Sequence, residues 1–116
     1  MPQKIVAVLS DLIFTVKISD AAKRAGVTVE FARTAAEACE KAEGATAVIL
    51  DLNFAPPELI AHLRSAEATR SILLIGYVAH VDTGTIKQAR ESGCAAIMSR
   101  SAFVQGLEKM MQSFAG

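Results

Sequence analysis

The side chains best placed to act on another molecule stand at the ends of apolar runs. Asp51 follows the run AVIL at residues 47–50 and is followed by Leu52 and Asn53. Such a run suits a strand buried on both faces of a parallel sheet, and a carboxylate at its carboxyl end faces the crevice where open α/β sheets bind ligands. The same reasoning collects Leu9, Ser10 and Asp11 after KIVAV, Gly76 and Val78 in SILLIGYV, and Arg100 after the last short run. A carboxylate there can accept a phosphoryl group, help hold a divalent cation, or pair with a fixed positive charge. Arg100 is expected to form that pair with Asp51 across the strand ends. Asp11 is expected to cap the first helix, where its carboxylate meets free backbone amides.

Other chemistries lack their residues. Cys39 and Cys94 show neither CxxC spacing nor neighbouring histidines, and read as buried free thiols. His62 falls at the border of a helical apolar stripe and His80 in a loop, where it can contact a partner or titrate. No GxGxxG, GxxxxGK[ST] or GxSxG occurs, which argues against a nucleotide or flavin site and against a hydrolase. Twelve basic residues balance twelve acidic ones, so no net field favours nucleic acid or an anionic membrane. The opening apolar run is too short for a signal sequence or a membrane span, making the cytoplasm the expected compartment.

Strands and helices must alternate to position these residues. With 116 residues, 52% of them hydrophobic, the chain is sized for a single domain over residues 1–116, and few aromatics leave the core to Ala, Val, Ile and Leu. Strands are predicted over 4–9, 27–32, 45–52, 71–78 and 94–98. The second, VTVEFA, alternates as a half-exposed strand does. Ser10 and Asp11 open the first helix, with Ile13, Val16, Ala21 and Ala25 at helical spacing before Gly26. Thr34-Ala35-Ala36-Glu37 fits a capping box, and Pro56-Pro57 opens a third helix with the stripe Leu59, Ile60 and Leu63. A fourth helix over about 85–91 ends at Gly93, and Phe103, Val104, Leu107, Met110, Met111 and Phe114 mark the last. Five strands alternating with five helices imply a doubly wound parallel α/β sheet.

On KIVAVLSD, AVILDLN and ARESGCAAIMSRSAF, and on element order over nearly the whole chain, the sequence resembles the receiver domains of two-component response regulators. The resemblance implies a flavodoxin-like (βα)5 fold with strand order 2-1-3-4-5. It places the family's phosphoryl-accepting aspartate on Asp51 and the carbonyl that helps hold its metal on Asn53. The acidic pair falls on Leu9 and Ser10, the Thr/Ser position on Gly76 or Val78, and the Lys-Pro pair on Arg100 and Ser101. Both metal-binding acids and the switch hydroxyl are thus replaced.

Magnesium usually binds through one or two carboxylates, and neutralises the charge of phosphoryl transfer. The expectation is therefore a degenerate receiver: no enzyme, no cofactor, and action by contact with another signalling protein or a second copy. The expected face is the fourth strand, fifth strand and last helix, with Tyr77, His80, Phe103, Met110 and Met111 as candidates. For Phe103 and for most of Met110, Met111 and Phe114, packing onto the sheet is the favoured reading. The alternative function is a phosphoacceptor that uses Asp51 with magnesium held by Asp11, Asp51 and Asn53.

Overall fold

The computed structural model describes residues 3–79, 82–94 and 96–115. In chain order the elements are β1 (Lys4–Val8), α1 (Leu12–Ala25), β2 (Thr28–Ala32), α2 (Ala35–Ala42), β3 (Ala47–Asp51), α3 (Pro57–Ser65), β4 (Leu73–Val78), α4 (Thr83–Ser92), β5 (Ala96–Ser99) and α5 (Arg100–Ala115). The strands form one parallel sheet in the order β2-β1-β3-β4-β5. Among the described residues no helix is long and apolar enough to cross a membrane.

The apolar runs of β1 and β3 are buried because helices cover both faces. Alternation along each strand divides their side chains. Ile5, Ala7 and Ile49 pack with Phe14 and Ile18 of α1 and with Phe103, Leu107 and Met111 of α5. Val6, Val8, Val48 and Leu50 pack with Ala38 and Ala42 of α2, Leu59, Ile60 and Leu63 of α3, and Ala89 of α4. Asp51, two residues beyond Ile49, therefore emerges on the α1/α5 side.

The helix ends follow their local chemistry. The Thr34 hydroxyl accepts from the Glu37 amide, and the Glu37 carboxylate accepts from the Arg33 amide. Gly26 and Gly93 close α1 and α4 at φ of 76° and 116°, in the left-handed region that side chains disfavour. Asp82 caps α4, which begins at Thr83 and so runs longer at both ends than the predicted 85–91.

One helix is turned differently from its predicted phase. On α1 the buried residues are Phe14, Ile18, Ala21 and Ala22, while Ile13 and Val16 are 68% and 57% exposed. The helix carries two apolar stripes on different sides. The stripe with Phe14 wins because its aromatic ring fills the space above Tyr77 and Phe103, with ring centroids 5.2 and 6.0 Å away.

Arg64 ties down the opposite layer. Its guanidinium donates to the carbonyls of Gly93 at 2.9 Å and of Arg70 and Ile72 at 2.7 Å each. The end of α3, the turn before β4 and the end of α4 thus share one side chain.

Candidate functional site

β1, β3 and β4 end together at the carboxyl edge of the sheet, and the residues singled out from the sequence meet there. Asp51 closes β3 half-buried. Its Oδ1 accepts from the Asn53 amide at 3.0 Å, and its carbonyl accepts from the amides of Phe54 and Ala55. Asn53 turns its own Oδ1 to the Ala79 amide at 2.8 Å, joining the loop after β3 to the residue after β4. Burial pushes the Asp51 carboxyl above the usual carboxylate range, the Asn53 amide and Arg100 pull it down, and Asp11 adds to the rise.

Asp11 is held from two sides. Its Oδ1 accepts from the amides of Ile13 at 2.9 Å and Phe14 at 3.2 Å, capping α1. Its Oδ2 accepts from Arg100 at 2.6 Å. The Phe14 amide and the Arg100 guanidinium hold its carboxyl below the usual range. Leu9 is buried among Phe14, Ile18 and Tyr77, and Ser10 is exposed, so neither adds a charged ligand.

One predicted placement is corrected. Arg100 pairs with Asp11 rather than Asp51. It opens α5 directly after β5, and its guanidinium lies 4.2 Å above the Phe14 ring, which delivers it to the first turn of α1. Among the described residues Asp51 forms no ion pair, and its Oδ1 turns to the Asn53 amide instead. Gly76 and Val78 face the α3/α4 layer, and neither carries a hydroxyl. Val78 packs with α3 and α4, and a Cβ on Gly76 would lie 2.6 Å from Cδ1 of Leu52 in that same cluster.

The residue beside Asp51 is Tyr77, its register partner on β4 and on the same face. The apolar run around Tyr77 gives no phase that would have shown this. The Tyr77 ring lies 4.7 Å from Phe103, and its hydroxyl is buried without a hydrogen-bond partner. Burial pushes the phenol far above its usual range, and Asp51 adds to the rise.

Most of the side chains named for the predicted interaction face are packed inside. Tyr77, Phe103 and Met111 are buried, and Met110 is half-buried, because the aromatic cluster and the α5 stripe pack against the sheet. His80 lies outside the described residues. His62 is exposed on α3 beside an apolar hollow of about 290 Å³ lined also by Ala35, Ala36, Cys39, Glu58 and Leu59. Sequence reasoning missed the surface beside the crevice. Leu12, Ile13 and Val16 of α1 are exposed, next to a groove of about 550 Å³ lined by Phe14, Lys17, Ala79, Arg100, Ser101, Val104 and Gln105.

The strand order and the alternation of strands and helices match solved structures over almost all of both chains. The chemotaxis response regulator CheY4 of Vibrio cholerae aligns with a TM-score of 0.80 and 20% identity, covering 98% of this chain and 99% of that one. This is the receiver fold. The receiver domain of a sensor histidine kinase from Pseudomonas aeruginosa, solved with magnesium coordinated in its active-site cleft, aligns with a TM-score of 0.80 and 18% identity over 100% and 99% of the two chains. The phosphorylated cyanobacterial phytochrome response regulator RcpA gives 0.78 and 18% over 97% and 91%. No protein-family model matches the sequence, and no curated relative does either. The receiver fold is thus carried here by a sequence far from those it resembles in shape.

Proposed function

We propose that this receiver-fold domain is a signalling module of the two-component type that works by protein contact, without turnover and without magnesium-dependent phosphorylation. The observation that carries this reading is the engagement of Asp11, whose Oδ1 caps α1 and whose Oδ2 holds Arg100. With Leu9 buried and Ser10 uncharged, Asp51 is left as the one carboxylate at the crevice not tied to a cation by a direct hydrogen bond. The alternative phosphoacceptor would need Asp11 for the metal, and releasing it would cost both the cap and the ion pair.

A contact role draws support from the surface. Leu12, Ile13 and Val16 form an exposed apolar patch at the start of α1, the kind of feature that marks interaction sites. The partner is another signalling protein or a second copy, met beside the crevice. Among the described residues Cys39 and Cys94 are free thiols, which suits a reducing compartment such as the cytoplasm.

Titration with beryllofluoride and magnesium tests the phosphoryl part, read by calorimetry on the wild type and on Asp51→Asn. No saturable binding is expected. Saturable binding that Asp51→Asn abolishes would establish the phosphoacceptor instead.

A further inference from the structure

The cleft magnesium seen in one structural neighbour raises the question of what balances negative charge at this crevice. The residues present do not suit a divalent ion. Among the described residues no group of three or more His, Cys, Asp or Glu side chains is arranged to hold one. A hard cation needs several free oxygens, and those of Asp11 are engaged. The crevice nevertheless gathers two carboxylates that act on each other electrostatically. Two such groups in a half-buried site call for a positive charge.

We propose that the Arg100 guanidinium is the crevice's resident cation, a covalently attached substitute for the divalent ion, and that it excludes metal from the Asp11–Asp51 pair. Two observations place it. It binds Asp11 Oδ2 at 2.6 Å in a charge-assisted hydrogen bond. It is seated on the Phe14 ring at 4.2 Å, so its position is set by the aromatic cluster rather than by Asp11 alone. Beside this geometry, Arg100 lowers and Asp11 raises the Asp51 carboxyl, and among the described residues no other cation is found to act on it.

A guanidinium suits this task better than an ammonium. It is planar, stays charged throughout the working pH range and stacks on an aromatic face while still donating to a carboxylate. It is also permanent. A divalent ion comes and goes with concentration and with phosphoryl chemistry, whereas a side chain fixed to the first turn of α5 holds the charge at all times. The crevice is thereby kept in one electrostatic state, and α1 stays tied to α5. This inference builds on the metal-independent function proposed above, and the two can fail separately.

The test is to remove the cation and look for metal. Manganese binding is measured by electron paramagnetic resonance, and Tm with and without manganese, for the wild type and Arg100→Met, which keeps an apolar stem over Phe14. The wild type is expected to bind no manganese and to show an unchanged Tm. Arg100→Met is expected to gain at least about tenfold in manganese affinity and a Tm that rises on adding the ion, since a ligand of the native state stabilises it. Adding Asp11→Asn, which preserves the helix cap, is expected to abolish both gains.

If Arg100→Met folds but gains nothing, the substitution idea is wrong while the metal-independent function stands. If the wild type already binds manganese as tightly as the variant, both fail. Should Arg100→Met not fold, Arg100→Gln takes its place. The guanidinium proton resonances of the wild type give an independent readout: they are expected to be protected from exchange and to lose that protection in Asp11→Asn. Free exchange in the wild type overturns the proposal.

Discussion

The layer of α1 and α5 and the layer of α2, α3 and α4 cover the same sheet with different chemistry. The second is built from aliphatic side chains interdigitated with β1, β3 and β4, together with the thiol of Cys94. The first stacks Phe14, Tyr77 and Phe103 against one another, buries a phenol hydroxyl without a partner and carries Arg100 on its outer ring. One layer only holds the sheet flat. The other also sets the positions of the charges at the crevice, so packing and electrostatics are coupled on that side and separate on the other.

Truncating Phe103 should test that coupling most severely. Phe103→Ala removes a fully buried ring and should cost about 3–5 kcal/mol in chemical denaturation. Because Phe14 loses its neighbour, the Arg100–Asp11 contact should loosen as well, seen as broadened Arg100 side-chain resonances. Leu74→Ala, in the aliphatic layer, should cost about 2–5 kcal/mol and leave those resonances unchanged. Equal loosening in both variants would show that the layers are not distinct in this respect.

A smaller effect of opposite sign is expected from Tyr77→Phe. A buried hydroxyl without a partner carries a desolvation penalty of about 1–3 kcal/mol, so removing it while keeping the ring should stabilise the protein by about 1 kcal/mol in urea. A loss of stability instead would reveal a hydrogen bond from Tyr77, with Asp51 the nearest candidate acceptor.

The smallest effect concerns pH. The folded-state value for Asp51 is raised above its ordinary 3.8, so its contribution is present below that value and lost as pH rises through the raised one. That of Asp11 is lowered, so its contribution is present above 3.8 and lost as pH falls through the lowered one. Asp51→Asn should therefore gain on the wild type as pH rises from acid to neutral, measured by urea midpoints across that range. A difference between the two that stays constant with pH would show Asp51 to be unperturbed.

Much of this architecture is legible in the residues themselves. KIVAV and AVIL read as doubly buried strands because nothing polar interrupts them, and both are. Thr34, Glu37, Gly26 and Gly93 announced helix ends through side-chain and backbone chemistry that needs only local geometry. The partner of Arg100 could not be read this way. It depends on which ring the guanidinium rests upon, and that ring belongs to a helix 86 residues earlier in the chain. Tyr77 falls on the expected contact face through the resemblance to receivers and not through its own residue pattern. Its run, SILLIGYV, is apolar on both faces and gives no phase. The first helix posed the same difficulty, since Leu12, Ile13 and Val16 compete with Phe14 and Ile18 and only the tertiary aromatic cluster decides between them.

Arg64 has a consequence for how this molecule breathes. The carbonyls of Arg70, Ile72 and Gly93 that it satisfies come together only when the end of α3, the start of β4 and the end of α4 are all docked. Undocking α4 alone would take the Gly93 carbonyl from the guanidinium and leave both short of a partner. Motions of α3, the turn before β4 and the end of α4 are therefore coupled through this one side chain, and their amides are expected to share similar protection in hydrogen exchange.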